Sequence, residues 1–387
     1  MKNRREATLA ALFAAAIAST VALGELTVNI EREGAEKFPV SIDVAGDPAF
    51  AKSLRRNLEL TGAFQIRKNA SIKVSGRTGA AIRAEGRGKA LGFNSSAADS
   101  RAARTEARLF ANKLMETYAG MKGFANEPIA FVNRKGRVGD VYVCYPDGYD
   151  MRKLTNDGSE SVGPRWKDAR TLFYTGFLGK GGPKVYELDA NTGARKLKWS
   201  FKGLTTGAAV SPDGRRVAII LSMHGNPELY VFDMAAGTWK RLTHTKNASE
   251  GQPVWSPDGR QIAYVSDETR YPQLYVIDVN TKAKRRLTSK GAQNVDPDWS
   301  KDGKLAYITK RGGLSQIAVM DPAKGEASVR LIGKPGSWEH PSWAPDSRHV
   351  AASRDGAIFS VDTEDDENPP MRIFMNEGNW ITPSWRK

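Results

Sequence analysis

From residue 129 onward, apolar and polar positions alternate in short runs of four to six residues, and the runs recur about every 44 residues. The clearest copies are Trp255-Ser-Pro-Asp-Gly-Arg-Gln-Ile-Ala-Tyr, Trp299-Ser-Lys-Asp-Gly-Lys-Leu-Ala-Tyr and Trp343-Ala-Pro-Asp-Ser-Arg-His-Val-Ala-Ala, with weaker ones starting at Trp166 and Val210. The five starts lie 44, 45, 44 and 44 residues apart. A second motif keeps the same period, as in Leu229-Tyr-Val-Phe-Asp and Leu274-Tyr-Val-Ile-Asp, and a third closes each unit, as in Arg241-Leu-Thr and Arg286-Leu-Thr. Period-two alternation and Pro-Asp-Gly turn chemistry predict four short strands per unit, and the runs are too short for a helical solenoid. Four-stranded units in series predict propeller blades.

Counting strand roles gives the number of blades. Residues 129–155 supply a second strand (Ile129-Ala-Phe-Val), a third (Val141-Tyr-Val-Cys) and an edge strand (Arg152-Lys-Leu-Thr) but no innermost one. The missing innermost motif, Pro-x-Trp, stands at Pro383-Ser-Trp385. Five whole units and one split unit predict a six-bladed β-propeller over 126–387, closed by the C-terminal strand so that no blade edge is left open.

The preceding segment, 25–125, lacks the repeat and reads as a small α/β domain. Val40-Ser-Ile-Asp-Val alternates as a strand, and Asp47-Pro48 starts a helix that Gly62 ends. Strands are expected near 71–74, 81–84 and 90–93. A second helix runs from Asp99 to Tyr118, with Ala107, Phe110, Leu114 and Tyr118 on one face. Residues 1–24 have the form of a signal peptide: Lys2, Arg4 and Arg5, then an Ala-rich apolar run from Ala7 to Leu23, with cleavage expected before Glu25. Export to the periplasm is the expectation. Glu25 to Lys37 reads as a charged tail.

Composition adds limits. The single cysteine, Cys144, excludes an internal disulfide and occupies an apolar repeat position, so it is expected in the core. The formal net charge of +15 is spread over turns and strand ends beside acids, which does not make a nucleic-acid-binding surface. Among the four histidines, His224, His244, His340 and His349, none has metal-pair spacing, and neither a nucleophile elbow nor a phosphate loop is present. The repeated Asp213, Asp258, Asp302 and Asp346 read as turn formers. No cofactor and no catalysis are expected. Trp166, Trp255, Trp299, Trp343 and Trp385 recur at one position and are expected to pack between blades.

The segments entering each innermost strand are expected at one mouth of the central channel, where variable loops on a rigid scaffold carry function. They nominate Glu160, Thr205, Glu250, Gln252, Asn294, Asp296, Trp338, Glu339, His340, Asn379 and Trp380 as a partner-binding set, with the acids forming a ring.

The signal segment, the α/β domain, the repeats of the W-S-P-D-G-x-x-I-A-Y type and the junction from Phe110-Ala-Asn-Lys-Leu through Gly120-Met-Lys-Gly-Phe to Ile129-Ala-Phe-Val together resemble the TolB family, the periplasmic propellers of the Tol-Pal system. The resemblance implies a monomeric, non-catalytic scaffold that binds the peptidoglycan-associated lipoprotein Pal at the channel mouth. It further implies contact with the inner-membrane protein TolA through the N-terminal region, in support of outer-membrane integrity and cell division. Two other readings are a propeller binding a sugar or small ligand, and the propeller part of a prolyl-oligopeptidase-like hydrolase. The second is disfavoured because no G-x-S-x-G domain is present.

Overall fold

The structure, a computed structural model, describes residues 37–387. The expected signal segment and the charged tail up to residue 36 lie outside the described residues. Lys37 is fixed: its Nζ donates to Asn368 Oδ1 at 2.8 Å.

Six four-stranded sheets follow the period read from the sequence. Their innermost strands are Ser161–Trp166, Thr205–Val210, Glu250–Trp255, Gln293–Trp299, Glu339–Trp343 and Trp380–Trp385, and these begin blades one to six. The sixth blade pairs Trp380–Trp385 with Ile129–Lys135, in the register Trp385↔Ile129 and Trp380↔Asn133. Val138–Cys144 and Arg152–Lys153 complete it. Trp385 is 2% exposed, so the closing strand is anchored by one of the larger apolar burials in the molecule, contributing roughly 2–3 kcal/mol.

The repeated tryptophans join neighbouring blades by hydrogen bonds as well as by packing. Trp255 Nε1 donates to the carbonyl of Ala209, Trp343 to that of Asp298 and Trp166 to that of Ser384, each at 2.9–3.0 Å and each on the innermost strand of the preceding blade. Trp299 departs from this and donates within its own turn, to Gly303. The repeated aspartates form turns as expected: Asp258 Oδ1 accepts from Ser256 Oγ at 2.6 Å and from Arg260 N at 3.0 Å.

The N-terminal layer is a five-stranded sheet in the order β2-β1-β3-β4-β5, formed by β1 (Phe38–Ala45), β2 (Phe64–Ile66), β3 (Ile72–Arg77), β4 (Ala81–Gly86) and β5 (Lys89–Asn94). The three-residue β2 has too little alternation to stand out in the sequence. Helix α1 (Pro48–Leu60) starts where the Asp47 side chain accepts from Ala49 N at 2.8 Å, with Pro48 in the first turn. Helix α2 (Ser100–Leu114) is capped by Asp99, continues as one π turn over Met115–Ala119 and stops at Gly120, whose φ of 63° is the left-handed geometry that ends helices. Ala107, Phe110, Leu114 and Tyr118 all face the core.

The described residues, 37–387, belong to one compact unit. The two layers share a single apolar core in which Phe50, Phe110 and Leu114 are continuous with Phe131, Cys144, Ile358 and Trp385. Cys144 is thus the core residue expected, and burial pushes its thiol pKa up. The contact also contains a fully buried ion pair: Arg108 grips Asp147 at 2.8 and 3.0 Å and Asp150 at 2.8 Å.

The candidate site at the channel mouth

Strand register fixes which end of the ring is which. Glu250 pairs with Ser266, Gln293 with Lys310 and Trp380 with Asn133, so the loops joining second to third strands emerge beside the starts of the innermost strands. The N-terminal layer packs at the other end, against the turn at Asp147 and the Asp346–His349 turn.

Just inside the mouth, every innermost strand is broken at the same position by a register shift. The residues at the breaks are Gly163, Gly207, Gln252, Asp296, His340 and Thr382, and all six have positive φ, between 50° and 71°. Pro follows in five blades and Ala208 in the second. Proline offers no N–H to a neighbouring strand, and a bulge accommodates it by leaving one residue out of the ladder. Four of the six are not glycine, at a cost of order 1 kcal/mol each. Side chains at such positions are turned out of the sheet and into the channel rim.

The ring is wired. Gln252 Nε2 donates to Asp296 Oδ1, Asp296 N donates to Gln252 Oε1 at 2.9 Å, and His340 N donates to Asp296 Oδ2 at 3.2 Å. His340 Nε2 stands 3.6 Å from Asp296 Oδ1. Arg165, Asp296, His340 and Thr382 border a neck of about 30 Å³, room for about one water molecule.

The nominated residues therefore divide. Gln252, Asp296 and His340 are brought together in the ring. Glu339 and Asn379 are exposed at the mouth, and Glu160 is half-buried there in an ion pair with Arg134. The remaining five are corrected to interior positions. Trp338, 1% exposed, meets Phe359 edge-on at 5.7 Å, and its Nε1 donates to the Lys334 carbonyl. Trp380 is enclosed by Phe131, Tyr142 and Phe374. Asn294 is buried with its amide donating to Gln273 and to the Lys290 carbonyl; Thr205 and Glu250 are buried as well. Burial raises the Glu250 pKa to about 7, and nearby Glu228 adds to the effect. The expected ring of acids is corrected with them: Glu250 is interior, Glu160 is neutralised by Arg134 and Asp296 is hydrogen-bonded within the ring.

What the sequence reading missed is the rim. Phe177 and Tyr271 lie on second-to-third-strand loops, Leu314 begins the third strand of blade four and Met375 precedes the closing strand; all four are exposed, Met375 by 71%. Lys135, Arg137, Lys180, Arg270, Arg311 and Lys334 are exposed around them. The rim is therefore apolar and on balance cationic, these six cations outnumbering the exposed acids Glu268, Glu339, Asp355 and Glu377, a combination suited to a protein partner. The signal available in the sequence was a large apolar residue in or directly after a Gly- or Pro-containing loop, as in Arg270-Tyr-Pro and Gly313-Leu.

The opposite end opens into a wider funnel of about 890 Å³, lined by Trp166, Trp255, Trp299, Trp385, Lys301 and Arg386 among others. Each of these indole N–H groups already donates to a backbone carbonyl, Trp385 to that of Glu127. Among the described residues no group of three or more His, Cys, Asp or Glu is placed to hold a metal ion, and no helix is long and apolar enough to cross a membrane.

A six-bladed propeller with an α/β layer fused to one end and an apolar, cationic mouth at the other defines a class of β-propeller proteins with an appended domain. Residues 115–387 match the family model described as the TolB beta propeller domain, and the chain belongs to that family. It is 30% identical over 139 residues to the Tol-Pal system protein TolB of Desulfosudis oleivorans, a match spanning 36% of this chain and 31% of that relative. In three dimensions it is similar to TolB from Acinetobacter baumannii, with a TM-score of 0.78 and 22% identity over 91% of this chain and 97% of that one. A putative TolB from Agrobacterium tumefaciens is similar with a TM-score of 0.50 and 20% identity, over 65% of this chain and 90% of that one.

Proposed function

We propose that the chain is a non-catalytic scaffold of the Tol-Pal system in the periplasm. It takes the peptidoglycan-associated lipoprotein at the channel mouth and couples to a TolA-like inner-membrane protein through its N-terminal region, in support of outer-membrane integrity and cell division. The observation that carries the reading is the rim: exposed Phe177, Tyr271, Leu314 and Met375 set among six cationic side chains around a hydrogen-bonded ring. Aromatic and methionine side chains are the usual anchors of protein interfaces, and a cationic rim speeds encounter with an acidic partner. The signal-like residues 1–24 support the compartment.

Isothermal titration with the soluble domain of a peptidoglycan-associated lipoprotein tests it. Tyr271→Ala and Met375→Ala are each expected to weaken binding roughly tenfold, the double variant about a hundredfold. Leu197→Ala, 53% exposed on the outer strand of blade one, serves as control and leaves binding unchanged. Full affinity in the double variant would overturn the assignment of the mouth.

A further inference from the structure

The joints between successive blades carry a repeated polar contact. Where blades three and four meet, Gln273 Oε1 accepts from Asn294 Nδ2 at 2.7 Å and from Thr288 Oγ1 at 2.8 Å, and Asn294 N donates to the Pro272 carbonyl at 2.9 Å. One joint earlier the same backbone bond recurs, Glu250 N to the Pro227 carbonyl at 2.9 Å, and the matching side chains are Glu228 and Glu250. An amide pair is replaced by two carboxyl groups.

Both are buried, 1% exposed for Glu228 and 5% for Glu250. Glu228 Oε1 accepts from Arg241 Nη2 at 3.0 Å, Thr245 N at 2.7 Å and Thr245 Oγ1 at 3.1 Å. Oε2 of Glu228 and Oε2 of Glu250 are both buried without a hydrogen-bond partner. Around Glu250 stand Tyr264 and Ser266 on the second strand of its blade, Asp267 and Glu268 on the following loop, and Lys284, which is engaged by Glu268 at 2.6 Å. Arg241 therefore balances Glu228, whereas the ionised form of Glu250 is favoured only by a hydrogen bond from Ser266 and by Lys284, and burial outweighs both.

We propose that Glu250 holds a proton shared towards Glu228 across the joint of blades two and three, and that losing this proton loosens the channel mouth. A protonated Glu250 supplies the O–H donor that Asn294 supplies as N–H one joint on. When that proton goes to solvent, two like charges face each other out of water, at the start of the strand that carries Gln252 and thus the Gln252–Asp296–His340 wiring. The raised pKa of Glu250, about 7, agrees with this. The mouth is tightest in mild acid.

The test compares full-length protein, Glu250→Gln and the double variant Glu228→Gln/Glu250→Asn, which copies the amide joint. Thermal midpoints are read between about pH 5.5 and about pH 8.5, with amide exchange over residues 246–254. Both variants should match the parent near pH 5.5 and melt about 5 °C higher near pH 8.5, with protection factors in the segment, corrected for the intrinsic pH dependence of exchange, no longer falling as pH rises. A parent-to-variant difference that stays constant with pH in both would overturn the proposal. Neither readout needs a partner. That partner affinity falls as pH rises rests on the functional reading above: absence of binding at every pH would refute that reading and leave the proton latch standing.

Discussion

His349 Nε2 lies 3.2 Å from the carbonyl oxygen of Thr61, so a propeller side chain holds the C-terminal cap of helix α1. The other ring nitrogen, Nδ1, is 2.6 Å from Asp346 Oδ2. A carbonyl and a carboxylate can only accept, so both contacts are hydrogen bonds only when the ring is an imidazolium. Burial alone would depress its pKa, but Asp346, followed by Asp362, outweighs burial and raises it.

The sign of the pH dependence follows. A histidine whose folded pKa is raised stabilises the fold fully below its ordinary value near 6.5 and loses that contribution as pH rises through the folded value. His349→Gln leaves the buried Asp346 without its cation and is expected to cost about 3 kcal/mol in mild acid. Urea unfolding at several pH values checks this, and the gap to the parent protein should narrow as pH rises. A gap that widens towards alkaline pH would count against the imidazolium.

Removing residues 380–387 takes away the innermost strand of blade six together with two buried tryptophans. The expected result is loss of cooperative unfolding for the whole propeller, with an open edge left at Ile129–Lys135. Circular dichroism melts of the shortened protein decide it, and an unchanged melting curve would contradict ring closure.

Thr382 is a β-branched residue at φ 51° whose buried Oγ1 has no hydrogen-bond partner. Thr382→Gly should relieve both penalties and stabilise the protein by about 1 kcal/mol. Gly207→Val, the reverse change at φ 71°, places Cβ 3.2 Å from Pro253 Cδ and should destabilise by about 2 kcal/mol. Chemical denaturation of the pair reads both signs in one experiment.

The blade count, the closure and helices α1 and α2 were legible in the sequence because each leaves a local, periodic trace: Trp255, Trp299 and Trp343 at one spacing, Asp47 before Pro48, Gly120 after Tyr118. The fate of the mouth residues was not. Trp338 and Trp380 have polar neighbours in sequence, yet the chain entering each innermost strand passes over the adjoining blade, and their indoles fall between sheets rather than outside them. Glu250 misled for a related reason, since it is tied to the preceding blade, where the Pro227 carbonyl accepts from its N–H, and its own segment carries no sign of this. The ring of positive φ angles left only a partial sign, the proline after five of the six bulges.

The split sixth blade sets the timing of folding. Ile129 and Phe131 share one core with Trp385, and that core extends into helices α1 and α2, so the earliest described segment cannot finish packing until the last strand is delivered. Contacts that span some 250 residues close slowly, and meanwhile the strand Ile129–Lys135 stands with one edge bare. Between emergence of the first blade and arrival of residues 380–385 the chain depends on something else to cover that edge, which makes holdase chaperones and proteases the natural competitors for its yield.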